Sequence, residues 1–321
     1  MLYTLMPMSP PSVPTRPLRV GVQLPEVERE VRWPELRDMA RAAEAVGFDS
    51  LWVGDHLLYR DPGEPPRGPW EAWSVLAAVA AVTERVELGS LVASVSFHNP
   101  AMLAKKAATI DEISGGRLIL GLGAGWNEPE YQAFGFPFDH RVDRFEEAFA
   151  IIRGLLREGA VDFAGRYHEA RDCVLLPSPS RPGGPPIMIG TKGPRMLRLA
   201  AAHADVWNAW YTWYGNRPEG IGPVRDKVDQ ACAAEGRDPG TLERTVAVLV
   251  QIEEGGVPSR GGREPKVPPL TGSPQELAGE LRSFAAEGIS RVQLVLDPIT
   301  LRSIEGLGAV LQELDRERRD P

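Results

Sequence analysis

VELGSLVASVSFHNPAMLAKKAATIDEISGGRLILGL (86–122) reads as strand, helix, strand. Its flanks, Val86–Val92 and Arg117–Leu122, are short and apolar, as strands covered on both faces tend to be. Between them Asn99–Pro100 opens a helix, an Asn cap followed by a first-turn proline. Met102, Ala107, Ile110 and Ile113 form its expected apolar side. Ser114-Gly115-Gly116 then turns the chain into the next strand.

The same alternation continues in both directions. Upstream, Arg19–Leu24 and Ser50–Gly54 read as strands, with helices over Pro34–Val46 and Trp70–Thr83. Gly47 suits a helix C-cap, because glycine accepts the left-handed turn there. Downstream, strands are expected at Ile187–Gly190, Asp205–Asn208, Arg244–Ile252 and Arg291–Leu296. Helices are expected over Arg141–Arg157, from Pro194, over Glu219–Ala234 and Pro274–Glu287, and at the C-terminus, where the charge run Asp315–Asp320 reads as a solvated helix end. Eight strand–helix units within 321 residues favour a closed (β/α)8 TIM barrel over an open doubly wound α/β sheet. One domain is expected over 18–316, with insertions after the fourth helix (Val161–Pro185, read as irregular) and the seventh strand (Glu253–Pro269). Loops of that length are functional or disordered, so 57–69 and 253–269 are candidate lids.

Met1–Pro17 is rich in Pro and Ser and reads as a disordered tail without the pattern of a secretion signal. No apolar run reaches the roughly 18 residues a membrane span needs. The net charge is −8 and no basic stripe is visible, which argues against nucleic acid and a membrane surface as partners. Cys173 and Cys232 lie far apart without metal-ligand spacing, so free thiols in a reducing cytoplasm are expected.

Barrel enzymes carry their chemistry at the C-terminal ends of the strands. Here those ends are Gln23, Asp55-His56, Ser94 to His98, Gly121 to Asn127, Gly190 to Gly193, Trp207-Asn208, Gln251 and Asp297. Such a rim suits a flat heterocycle with polar edges. A metal site wants several His and carboxylates converging, and none is assigned. Gly190-Thr191-Lys192-Gly193 precedes a helix opening at Pro194, so backbone N–H groups, the helix dipole and Lys192 could hold a phosphate. Gly121-Leu122-Gly123-Ala124-Gly125 lacks the dinucleotide spacing; its glycines either let a ring lie on the backbone or pack strand tightly against helix. Asp55-His56 offers a base that titrates near neutrality.

GFDSLWVGDH (47–56), LGSLVASVSFHNPAMLAKKAATIDEISGGRLILGLGAGWNEPEYQAFG (88–135), PPIMIGTKGPRMLRLAAAHADVWN (185–208) and RVGVQLP (19–25) together resemble the luciferase-like monooxygenase superfamily. Within it they resemble the branch that uses coenzyme F420. The resemblance spans roughly residues 18 to 300. It implies that Asp55 binds the cofactor and that His56 is the catalytic residue, an acid/base or orienting group at the reactive carbon. It implies a non-proline cis peptide backing the ring, placed at Ser90–Leu91. The cofactor phosphate would sit on Gly190, Thr191, Lys192 and Gly193. Gly123, Gly125, Trp126, Asn127, Trp207 and Asn208 would line the pocket.

Two departures matter. The usual phosphate turn has two adjacent glycines, whereas this chain has Gly190-Thr191-Lys192, with a side chain at the second position. Sugar-phosphate dehydrogenases of the superfamily carry a glutamate where Trp126 stands, so that substrate is not assigned. The expected activity is hydride transfer between F420 and a small organic substrate. An FMN-dependent monooxygenase using O2, a phosphate-binding barrel lyase or isomerase, and a non-catalytic cofactor-binding regulator stay open. The absence of lysine from all eight strands counts against a Schiff-base mechanism. Relatives of this kind are often homodimers.

Overall fold

The computed structural model of the chain describes residues 16–252 and 265–316. The expected tail Met1–Pro17 and insertion Glu253–Pro269 therefore lie largely outside the described residues. Arg16, from the end of the tail, is described and pairs with Asp49 (3.4 Å) and Asp315 (3.0 Å).

Strands β1 (Arg19–Gln23), β2 (Ser50–Val53), β3 (Glu87–Ser90), β4 (Ala93–Ser94) and β5 (Leu118–Gly123) alternate with helices α1 (Trp33–Val46), α2 (Ala72–Val82) and α3 (Pro100–Ser114). Helices α4 (Glu128–Phe134) and α5 (Arg141–Glu158) follow. Strands β6 (Ala160–Ala164) and β7 (Glu169–Val174) come next, then β8 (Ile187–Gly190), α6 (Pro194–His203), β9 (Val206–Ala209) and α7 (Ile221–Ala234). The chain ends with β10 (Glu243–Gln251), α8 (Pro274–Ala286), β11 (Arg291–Asp297), α9 (Leu301–Gly306) and α10 (Gly308–Arg316).

Eight parallel strands run in the order β1-β2-β3-β5-β8-β9-β10-β11. The ring closes because β11 returns to β1, from Arg19 opposite Arg291 to Val22 opposite Leu294. The short β4 continues the β3 path and pairs with the end of β5, Ala93 against Leu122. The chain thus has the expected TIM-barrel fold.

Local chemistry explains the helix ends. Glu71 caps α2 by accepting from Trp73 N (3.1 Å) and Ser74 N (2.7 Å), and Asn99 caps α3 through Met102 N (3.1 Å). Gly47 and Gly115 end α1 and α3 at φ 101° and 67°, conformations that cost a side chain dearly.

Four expectations change. The insertion after the fourth helix is an antiparallel hairpin, β6 on β7, whose turn is held by Glu147 accepting from the backbone N of Arg166, Tyr167 and His168. A seven-residue helix, α4, follows β5 where only a loop was expected. The C-terminal helix is broken into α9 and α10. On α3, Ala107 and Ile110 are buried as expected, but Met102 and Ile113 face solvent at 54% and 47% exposure, and Leu103 and Ala104 take their place in the core.

The barrel interior is filled below and open above. Trp52 lies inside, its indole donating to Ser50 Oγ at 2.9 Å. A Cβ on Gly21 or Gly89 would come within 2.5 and 2.2 Å of that indole, so these strand glycines make room for it. At the bottom, buried Arg291 joins Glu87 (2.6 Å) and Glu243 (3.5 Å). The C-terminal strand ends surround a cavity of about 1180 Å³.

Candidate active site

Every strand of the first half of the ring sends residues to that cavity: Gln23 and Glu26 after β1, Asp55, His56 and Tyr59 after β2, Leu91 and Val92 after β3, Gly123 to Trp126 after β5. The second half adds Gly190 to Gly193, Asn208, Trp210 to Trp213, and Pro265-Lys266.

His56 is held by a buried carboxylate. Its Nδ1 lies 2.9 Å from Glu130 Oε1, on α4. Glu130 is 1% exposed, and its other oxygen accepts from Leu57 N (2.8 Å) and Leu58 N (3.3 Å). A carboxylate can only accept, so His56 carries its proton on Nδ1 in the neutral state. Its Nε2 has no partner among the described residues. Tyr59 and Trp126 pack against the imidazole with centroids 4.8 and 5.6 Å away. Burial disfavours the charged ring, but the carboxylates of Glu26, Glu130 and Asp55 outweigh it, so His56 holds its proton to higher pH than an ordinary histidine.

A second network lies beside it. Glu26 accepts from Gln23 Nε2 (2.9 Å) and Tyr59 OH (2.9 Å). Burial, and then the negative charge of Glu26, push the Tyr59 phenol well above its usual value, so it stays a donor. Gln23 Oε1 is buried without a hydrogen-bond partner among the described residues.

Asp55 is 2% exposed, and its Oδ2 accepts from Ser94 N (3.0 Å) and meets His98 Nε2 at 2.8 Å. It ties the end of β2 to β4 while lining the cavity. Asn208 Nδ2 donates to Thr245 Oγ1 (2.9 Å) and Gln293 Oε1 (2.8 Å), which fixes its amide at the cavity floor.

The non-proline cis peptide is at Leu91–Val92, one residue later than expected. Val92 fills the space that Cβ atoms on Gly123 (2.7 Å) and Gly190 (3.2 Å) would need. The glycines of β5 and β8 therefore admit this valine, which lines the cavity. Gly125 has φ +74°, and its missing Cβ would sit 1.7 Å from Tyr131 OH, so that glycine serves the packing of α4.

The turn before α6 forms as expected. Thr191, where glycine is usual, folds its side chain onto its own loop: Oγ1 accepts from Gly193 N at 3.3 Å. Lys192 reaches over the Trp213 ring at 5.6 Å. A Cβ on Gly193 would meet open space, and the residue lines the cavity at the start of α6.

Of the residues expected to touch a cofactor, Asp55, Leu91, Gly123, Gly125, Trp126, Gly190, Thr191, Lys192, Gly193 and Asn208 converge on the cavity with His56. Ser90, Asn127 and Trp207 do not line it. Ser90 Oγ staples β3 to β5 through Gly121 O (2.7 Å). Asn127 Nδ2 holds Leu58 O (2.9 Å). Trp207 is fully buried, donating to Thr191 O (2.8 Å). Glu130, Glu26 and Tyr59 join the site without a local signal in the sequence that marks them. The expected lid 57–69 is a pinned wall: Tyr59 and Arg67 exchange backbone bonds of 2.7 and 3.1 Å, and Arg67 reaches Val27 O at 2.6 Å. Among the described residues, no three His, Cys, Asp or Glu gather to hold a metal, and no helix is long and apolar enough to cross a membrane.

Comparison with known proteins bears on the family and the fold. A 5,10-methylenetetrahydromethanopterin reductase of Archaeoglobus fulgidus is 29% identical over 227 residues, 70% of this chain and 62% of the relative. An F420-dependent glucose-6-phosphate dehydrogenase of Amycolatopsis mediterranei is 37% identical over 177 residues, 53% of this chain and 51% of the relative. Pyrimidine monooxygenase RutA of an Enterobacter species is 31% identical over 189 residues, 57% of this chain and 51% of that protein. The chain thus spans between half and two thirds of the length of these curated relatives. Among solved structures, an F420-dependent secondary alcohol dehydrogenase carrying an F420-acetone adduct superposes with a TM-score of 0.77 at 21% identity, over 92% of this chain and 99% of that one. The family model described as luciferase-like monooxygenase matches residues 18–255. On the barrel and that match, the chain belongs to the luciferase-like monooxygenase family.

Proposed function

We propose that this chain is an F420-dependent oxidoreductase that moves a hydride between the deazaflavin and a small organic alcohol or carbonyl compound. The observation that carries the reading is His56: an imidazole of raised basicity, oriented by a buried carboxylate, at the edge of a cavity with an anion-holding turn across the ring. Adding a hydride to a carbonyl leaves an oxygen that needs a proton, and the reverse direction needs that proton removed. Two of the relatives above, the Amycolatopsis dehydrogenase and the alcohol dehydrogenase, carry F420 in their names.

The residues present fit such a cofactor. The cavity exceeds the roughly 300–1,000 Å³ usual for one small-molecule ligand, leaving room for a second molecule. Gln23 Oε1, buried beside it and unpartnered among the described residues, is an acceptor that a polar ring edge could satisfy. The turn of Gly190 to Gly193, with Lys192, would hold the phosphate of the tail, and Val92 would back the ring. When bound, the deazaflavin supplies the hydride chemistry itself. The chain's part is to bind, orient and handle the proton. His56 Nε2 gives or takes it at the substrate oxygen, while Trp126 and Tyr59 wall the imidazole from bulk water.

The test is a pair of equilibrium titrations, of F420 and of FMN, read by quenching of the intrinsic tryptophan fluorescence, to which Trp126, Trp210 and Trp213 at the cavity contribute. Saturable F420 binding, followed by substrate-dependent change at the deazaflavin absorbance band, is expected. Binding of FMN alone would overturn the proposal in favour of an O2-using monooxygenase.

A further inference from the structure

The structure assigns Glu130 as the positioning residue of the site: it fixes which nitrogen of His56 faces the cavity and locks the base to the wall formed by residues 57–69. This rests on the reading of His56 as the proton carrier.

The assignment comes from where the carboxylate spends its bonds. Glu130 is on α4, 74 residues from His56, and is 1% exposed. Both of its oxygens turn to three consecutive residues: Oε1 to His56 Nδ1, Oε2 to Leu57 N and Leu58 N. A buried carboxylate carries a large desolvation cost unless its hydrogen bonds are well made. These bonds meet that need with groups of a single segment, so the ring and the wall are held by one anchor. Asn127, three residues earlier, adds a bond to Leu58 O at 2.9 Å, so the start of α4 grips this wall at two places.

With Nδ1–H directed at Glu130, the neutral ring presents Nε2 as its acceptor. After protonation, Nε2–H is the proton to be delivered, and Glu130 stabilises the imidazolium formed. The imidazole faces Glu26 from the β1–α1 segment, Asp55 at the end of β2, Tyr59 from the wall and Glu130 from α4. Glu26 and Asp55 are committed elsewhere, to Gln23 and Tyr59 and to Ser94 and His98 respectively. Among the described residues, it is Glu130 whose hydrogen bond holds the ring. Glu128, two residues earlier on the same helix, is exposed and serves as a control.

The experiment compares wild type with Glu130→Gln, Glu130→Asp, Glu128→Gln, His56→Gln and the double variant His56→Gln/Glu130→Gln. Its primary readout is the imidazole ¹⁵N spectrum of His56 across pH in the cofactor-free protein. The wild type is expected to show the Nδ1–H tautomer when neutral and to titrate above an ordinary histidine. Glu130→Gln is expected to lower that midpoint and mix the tautomers, Glu130→Asp to restore part of both, and Glu128→Gln to leave the spectrum unchanged. In turnover, Glu130→Gln should lose about tenfold to a hundredfold in kcat, less than the roughly 10⁴ seen when an orienting carboxylate is removed from a hydrolytic triad. The double variant should lose no more than His56→Gln alone.

An unchanged His56 tautomer and midpoint in a folded Glu130→Gln protein would overturn the assignment. So would additive losses in the double variant. The spectra need neither cofactor nor substrate, so failure of F420 to bind would sink the proposed function and leave this inference standing.

Discussion

His56 and Glu130 show how single side chains acquire chemistry from their surroundings. The carboxylates around His56 raise its affinity for a proton in the folded chain, so the folded state keeps that proton to higher pH than the unfolded one. The resulting stabilisation is complete below the ordinary value of 6.5 and fades as pH rises through the raised one. Urea denaturation should therefore separate wild type from His56→Gln more widely near about pH 5.5 than near about pH 9. A constant gap would count against the shift. The same substitution should lower kcat by about 10²- to 10⁴-fold, the usual worth of a general acid or base, with cofactor affinity nearly unchanged. Gly125 is a second residue-scale case. With φ +74° and a prospective Cβ 1.7 Å from Tyr131 OH, Gly125→Ala should cost about 2–4 kcal/mol, combining backbone strain and overpacking. A melting temperature within a degree of wild type would contradict this.

At the scale of elements, the turn before α6 and the wall 57–69 divide the labour. The turn brings Lys192 and the start of a helix to the cavity, and its lysine is exposed, so its charge acts through solvent. Lys192→Ala should weaken binding of a phosphate-tailed cofactor by about fivefold, the scale of an exposed charge contact near 1 kcal/mol. That loss should shrink as salt is raised. A flavin analogue without the phosphate should not sense the change; equal weakening of both would place the phosphate elsewhere. The wall is pinned by Glu130, Asn127, Glu26 and the Tyr59–Arg67 bridge. It acts as part of the scaffold, holding Tyr59 against the imidazole.

At the scale of the molecule, one end of the barrel is sealed and the other left open. Arg291 closes the bottom against Glu87 and Glu243, each 32% exposed at the side chain. Removing one member of a fully buried pair costs about 3–5 kcal/mol. Here the glutamates can rehydrate, so Arg291→Met should cost about 2–3 kcal/mol, read from the urea midpoint at constant slope. No loss at all would mean that the apolar replacement packs as well as the ion cluster does. Trp52, accommodated by Gly21 and Gly89, fills the layer above, and the site begins over Gln23, Asn208 and Val92.

The sequence by itself determined the barrel. Apolar strands, capped helices and glycine turns are local signals, and eight repetitions of them leave few ways to bury the strands on both faces. It also determined the strand-end residues that form the rim, His56 and the turn at Gly190 among them, because a parallel barrel puts all those ends on one side. Only the tertiary structure decided what the rim residues touch. In NEPEY (127–131) two glutamates stand a residue apart, and nothing local says that Glu130 turns inward to His56 while Glu128 stays in solvent. Likewise the glycines of β5 and β8 are identical on paper whether they bare the backbone to a ligand or make space for Val92. Those choices depend on side chains that meet across strands and helices distant in sequence, and such meetings exist only once the ring has closed.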